Sequence, residues 1–346
     1  YCVIMYLIPI TIPAPRTASV AHEMAIHPFF GTSSLLTSSI YFLLIFVFVM
    51  NRSRVLSLIG KFLTPIILVI LMAIILLAIT GNPKTMKLNV YEVPFVSGIL
   101  EGYQTFDAIG GVLIGAVIII SLGNRGVTSY DDKKSLITKA GLIAGSGLIL
   151  VYGGLIFSGA TLSTLLPVSG TRTEVLTSLS SQTLGAIGTS FLSVLVALAC
   201  FTTAVGIVTG TSDYVKEMFK NSQKAYVITA FISCVLGILI GHFQVSFIIK
   251  AAIPALRFIY PITIVLILLN VVPKRLTSSL VFKGVVITTL VFSIPDFLGS
   301  LNLGHLLDPI TQWIPFSTQS LGWVFPAFIA FIFLNVYSQR IKMSNS

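Results

Sequence analysis

Charge is scarce in this chain. Only 9% of its 346 residues are charged and 55% are hydrophobic, whereas a soluble domain carries about 25% charged residues. A surface so poor in charge cannot be wetted over its whole extent, so an ordinary water-soluble globule is excluded. Cysteine is scarcer still. Cys2, Cys200 and Cys234 all stand in apolar segments, without metal-ligand spacing or a disulfide framework, and read as small buried hydrophobes. No secretory signal pattern opens the chain. It starts at Tyr1, already inside an apolar run, which reads as a fragment or a truncated frame. Catalytic signatures are missing as well: there is no HExxH, no GxSxG and no presenilin-like pair of aspartates. Asp131 and Asp132 are adjacent, but they lie in a basic loop and read as helix-capping or solvated charges. An enzyme is therefore not expected.

What the chain does have is long uncharged stretches. Phe62 to Pro83, Ala140 to Thr171, Val175 to Ser212 and Pro309 to Gln339 contain no charged side chain, and each exceeds the ~20 apolar residues that a spanning helix needs. Hydropathy predicts ten spans, at about 1–26, 34–50, 62–80, 94–122, 138–160, 188–211, 225–241, 247–271, 276–297 and 315–337. The ninth is interrupted by Lys283. The gap 161–187, rich in Ser, Thr and Gly, reads as a surface loop or a short helix. The whole chain, 1–346, reads as a single polytopic transmembrane domain.

The net charge of +10 fits the same picture. Fifteen Lys and Arg residues fall in or beside one set of alternating segments, at Arg52, Arg54, Lys61, Arg125, Lys133, Lys134, Lys139, Lys216, Lys220, Lys224, Lys274, Arg275, Lys283, Arg340 and Lys342. The opposite set holds only Lys84, Lys87, Arg172 and Lys250. Basic connections stay on the cytoplasmic side. The asymmetry places both chain ends there and leaves no basic face for nucleic acid, so the expected surroundings are membrane lipid.

Four spans carry polar groups at membrane depth, where an ionisable residue is a functional candidate by default. The first reads IPAPRTASVAHE, in which Pro13 and Pro15 disturb the helical ladder just before Arg16 and Thr17, and Arg16 either faces a cavity or pairs with Glu23 or an absent helix to hold the bundle. His22 and Glu23, nearer its outer end, read as solvated. The fourth reads EGYQTFDAIGG, residues 101–111, where Glu101, Asp107 and Tyr103 occur among Gly102, Gly110 and Gly111. Transporters use such irregular helices to receive charged substrates and ions, though glycine-mediated helix packing accounts for part of the pattern. The sixth reads ALACFTTAVG, with Thr202 and Thr203 adjacent at mid-span. Their hydroxyls are hard oxygen ligands suited to sodium, or they bond to the preceding turn. The eighth reads KAAIPALRFIYP, with Arg257 and Tyr260 between Pro254 and Pro261, a place for a kink.

Taken in this order, IPAPRTASVAHE, EGYQTFDAIGGVLIGAVI with NRGVT at 124–128, ALACFTTAVG and IPALRFIYP resemble the bacterial branched-chain amino acid carriers, the leucine–isoleucine–valine cation symporters. The resemblance runs over nearly the whole chain, except the 161–187 gap and the tail after 337, which match only in hydropathy. It implies an all-α membrane protein with the inverted-repeat amino acid–polyamine–organocation transporter fold, ten of twelve transmembrane helices being present and the first two absent. It implies that Tyr103, Gln104, Thr105, Phe106 and Asp107 line the substrate pocket, that Arg16 and Thr17 (with Pro15) flank the central cavity, and that Ala199 through its carbonyl, with Thr202 and Thr203, forms half of a sodium site. No cofactor is implied beyond the coupling cation, sodium favoured over the proton. The implied activity is import of leucine, isoleucine and valine by alternating access at a bacterial inner membrane. A transporter of the same fold for another amino acid or a nucleobase, or an inactive fragment of such a carrier, is the alternative.

Overall fold

The computed structural model describes residues 2–51, 54–81, 93–124, 126–166, 170–273, 276–304 and 308–344. Among them there is helix and no strand. The helices are α1 (Cys2–Thr11), α2 (Pro13–Ala21), α3 (His27–Phe30), α4 (Ser34–Asn51), α5 (Arg54–Thr80), α6 (Pro94–Tyr103), α7 (Asp107–Asn124), α8 (Tyr130–Thr161), α9 (Arg172–Met218), α10 (Gln223–Gly241), α11 (Val245–Val271), α12 (Ser279–Ser300), α13 (Asp308–Thr311) and α14 (Val324–Ser344). A π-helical segment, His22–Ile26, joins α2 to α3.

Among the described residues seven helices are long and apolar enough to cross a membrane, against ten predicted spans. The difference arises where the backbone is broken or the apolar run is short. The first predicted span is interrupted at Ile12 and again by the π segment. The fourth is divided between α6 and α7. The tenth begins only at Val324, with an apolar stretch of Val324–Gln339. The sixth is longer than predicted. Helix α9 starts at Arg172, inside the gap read as a loop or a short helix, and continues past a bend at Gly185, whose φ of 71° only glycine adopts readily. Its start is fixed by a capping box: Thr171 Oγ1 accepts from the Glu174 amide, and the Glu174 carboxylate accepts from the Thr171 amide. The ninth span, despite Lys283, is a continuous helix in α12, and Asp131 and Asp132 do sit in the first turn of α8. The charge-based orientation rests in part on Arg52, Lys84, Lys87, Arg125, Lys274 and Arg275, which lie outside the described residues.

The chain divides into two compact units, Tyr1–Val90 with Gly115–Ile248, and Tyr91–Ile114 with Ile249–Ser346. In the first, Phe42, Ile45 and Val49 of α4 meet Ala204, Val205 and Val208 of α9 and Tyr226, Ala230 and Cys234 of α10. Phe42 lies so close to Gly237 that a Cβ there would collide with its ring. The turn between α10 and α11 is tied down from two sides. Ser19 donates to the Gly241 and Phe243 carbonyls, and Ser34 donates to that of His242, satisfying acceptors that a helix end leaves open. In the second unit α12 packs along α14, with Val281, Val285, Trp323 and Ala327 at the centre. Helix α8 packs one side on α5; its Leu142, Ile143, Ile149 and Ile156 are exposed, and only 6% of the residues in its apolar window are buried. An apolar helix of that length with so much of its surface exposed requires lipid as its solvent.

Candidate functional site

The break between α6 and α7 occupies Gln104 to Phe106. Gly102 and the side chain of Thr105 explain where α6 stops. The Thr105 hydroxyl donates to the Gly102 carbonyl at 2.8 Å, and the last amides, Gln104 and Thr105, bond three residues back in tight turns. Phe106 then takes a left-handed conformation, φ 61°, uncommon for a bulky residue and a mark of strain at functional sites. Its carbonyl accepts the Gly110 amide at 2.8 Å and so starts α7. Asp107 opens that helix, where a carboxylate complements the dipole.

Beside the break lies a cavity of about 230 Å³, lined by Ser97, Leu100, Glu101, Tyr103 and Gln104 from α6 and its end, and by Ile253, Leu256 and Arg257 from α11. That is below the roughly 300–1,000 Å³ of pockets for drug-sized ligands and suits a small molecule. Its wall offers one carboxylate, one guanidinium and three aliphatic side chains. Tyr103 stacks on Tyr260 of α11, ring centroids 4.6 Å apart and planes 16° apart. The Tyr260 hydroxyl faces the Ala108 amide and Thr105 at the start of α7, without completing a hydrogen bond of good geometry.

Of the five residues assigned to a pocket from sequence, Tyr103 and Gln104 line this cavity, whereas Thr105 and Phe106 lie in the break next to it and Asp107 opens α7. Leu100, Ile253 and Leu256 were not foreseen. Only the side-chain direction on two helices selects them from many other aliphatics, and a single sequence does not carry that.

The remaining candidates belong to the first unit. Thr202 and Thr203 both donate to the Ala199 carbonyl, at 3.0 and 2.8 Å. This is the bond to the preceding turn that threonines in helices commonly make. It leaves the hydroxyl lone pairs available, since a hydroxyl has one proton and two acceptor sites. Thr17 donates to the Ala14 carbonyl at 2.6 Å, and Arg16 exerts its charge on Cys200 across the α2–α9 contact. His22 and Glu23 are not the solvated pair expected. In the π segment His22 is buried and Glu23 half-buried. His22 Nδ1 is 2.9 Å from the Thr37 hydroxyl. Glu23 accepts from the Thr173 hydroxyl at 2.6 Å and from the Val245 amide at 2.9 Å, and so caps the starts of α9 and α11 together.

Comparison with known proteins decides the family. A profile described as branched-chain amino acid transport protein matches residues 1–341. The chain belongs to that family. This family member is 32% identical to the branched-chain amino acid transport system 2 carrier protein of Pseudomonas aeruginosa, over 92% of this chain and 74% of the relative. It is 30% identical to the branched-chain amino acid permease BraB of Bacillus subtilis, over 95% of this chain and 76% of the relative. Against the permease BrnQ of Escherichia coli strain K12 the identity is 27%, over 94% and 75%. No solved structure matches it. Membership in a transport family and the run of apolar helices make it a multi-pass membrane protein.

Proposed function

We propose that the protein is a secondary carrier that moves leucine, isoleucine and valine across a bacterial inner membrane together with a cation, sodium favoured over the proton, with its carboxyl terminus cytoplasmic. The observation that carries this reading is the cavity at the helix break. Glu101, Arg257 and the aliphatic walls of Leu100, Ile253 and Leu256 complement a zwitterion with a branched hydrocarbon side chain. Arg257 matches the carboxylate, since a guanidinium presents paired donors to it, and Glu101 matches the ammonium. An apolar wall separates substrates differing by one methylene by only ~1–3 kcal/mol, so the three amino acids compete for one site. The relatives named as branched-chain amino acid carriers support the substrate class. In this reading α6 and α7 are the broken helix of an inverted-repeat transporter of twelve helices, and Ala199, Thr202 and Thr203 form the sodium half-site.

The test is uptake of labelled leucine, isoleucine and valine into proteoliposomes holding the protein, with and without a sodium gradient, beside a Thr203→Ala variant. Uptake of all three that needs sodium and is lost in the variant supports the carrier and the half-site together. Uptake that follows a proton gradient and ignores sodium keeps the carrier and removes the sodium assignment. Absence of uptake from correctly inserted protein overturns the substrate class.

A further inference from the structure

Asp296 has no part in the reading above. It follows Pro295 within α12, a helix long and apolar enough to cross the membrane. It is 6% exposed, and its Oδ2 has no hydrogen-bond partner. A buried acceptor left unpaired costs about 1–3 kcal/mol, more for a charged group, and an acid at this depth needs an explanation.

Two further buried atoms in the same place lack partners: Tyr103 Oη from the end of α6, 5% exposed as a residue, and Trp323 Nε1 before α14, 7% exposed. Tyr103 is within electrostatic reach of Asp296 and its hydroxyl lies beside the Trp323 indole. The Asp296 carboxyl lies against the Gly322 amide, and Arg257 of α11 acts on it through space. Thus α6 brings a phenol, α11 a guanidinium, and the Gly322–Trp323 segment two uncharged N–H donors. A metal ion fits poorly, because an indole N–H has no lone pair to give.

We propose that Asp296 is a proton-binding site whose charge is read by Tyr103 and Trp323. When Asp296 is ionised, the Tyr103 O–H turns to donate to Oδ2, and the Trp323 N–H donates to Tyr103 Oη. When a proton binds Oδ2, the acid donates to Tyr103 Oη, and the Tyr103 proton turns away. One proton is gained or lost, no other covalent bond changes, and Oδ2 has a partner in either state with only side-chain adjustment. Tyr103 is also stacked on Tyr260, which faces the first turn of α7, so the charge on Asp296 bears directly on the helix break. This last consequence rests on the carrier reading; the proton site itself does not.

The chain has two tryptophans, Trp313 and Trp323. In a Trp313→Phe background, the emission of Trp323 in the reconstituted protein is expected to titrate with pH in one step. That step disappears with Asp296→Asn, and its midpoint is displaced by Tyr103→Phe, which keeps the ring and removes only the hydroxyl. Emission that is flat with pH, or that titrates alike with and without the Asp296 substitution, overturns the proposal. Infrared difference spectra provide a second readout: a carboxylic-acid carbonyl band that vanishes in Asp296→Asn supports it, and an unchanged set of bands opposes it. If Trp323 reports the step while no branched-chain amino acid is taken up, the proton site stands and the substrate reading falls.

Discussion

At the scale of single residues, Phe106 and Arg257 bear the most specific tests. Phe106 is buried, with a left-handed backbone. Removing its ring costs about 3–5 kcal/mol in a packed environment, more than the ~1–2 kcal/mol released by relaxing the backbone, so both Phe106→Ala and Phe106→Gly lower stability. Their order is the informative part. Glycine is expected to be the milder change by about 1 kcal/mol, since alanine keeps the backbone penalty. In an ordinary helix the order reverses, alanine being better by about 1 kcal/mol. Thermal unfolding of the two variants in micelles decides whether the break exists in solution. Arg257→Gln removes one charge-assisted contact worth about 1.5–3 kcal/mol, and the expected result is a leucine KM raised by ten- to a hundredfold with the sodium dependence unchanged. An unaltered KM would place the substrate carboxylate elsewhere.

At the scale of elements, Gly237 of α10 lies tight against the Phe42 ring of α4. Overpacking a filled core costs typically 1–3 kcal/mol, so Gly237→Ala is expected to lower the unfolding midpoint, whereas Gly206→Ala, with open space around its position, is expected to leave it in place. Elements are also where the sequence was most and least legible. Helices α4, α10 and α11 were read to within a few residues, because their ends coincide with changes from apolar to polar residues. The break after Gly102 was visible as a glycine-rich polar stretch inside an apolar run. The π segment at His22–Ile26 was not, since an extra residue in a helical turn leaves no mark in periodicity over five residues. The helix starting at Arg172 was legible only as one alternative, a short helix, because Ser, Thr and Gly also suggest a loop, although Thr171 and Glu174 spell a capping box. Asp296 carried a signal that went unread: an acid beside a proline near the end of an apolar span. Its neighbours Tyr103 and Trp323 are far away in sequence, and only folding brings them together.

At the scale of the whole molecule, apolar surface turned outward sets the conditions of activity. The 32 residues of α8 extend about 48 Å at 1.5 Å per residue, well beyond the ~30 Å hydrocarbon core. Its first turns hold Asp131, Asp132, Lys133, Lys134 and Lys139, which belong in water. The stretch from Ala140 to Thr161 is free of charge and measures about 33 Å, close to the core thickness. Among the described residues much of this stretch is exposed, and there its partner is the acyl chain. Uptake by the reconstituted protein is therefore expected to peak in bilayers of ordinary acyl length and to decline when the chains are shortened or lengthened by several carbons, since mismatch costs fractions of a kcal/mol per Å. Bilayer thickness is in that sense one of the protein's ligands, and its preference is written in the distance between Lys139 and the end of α8.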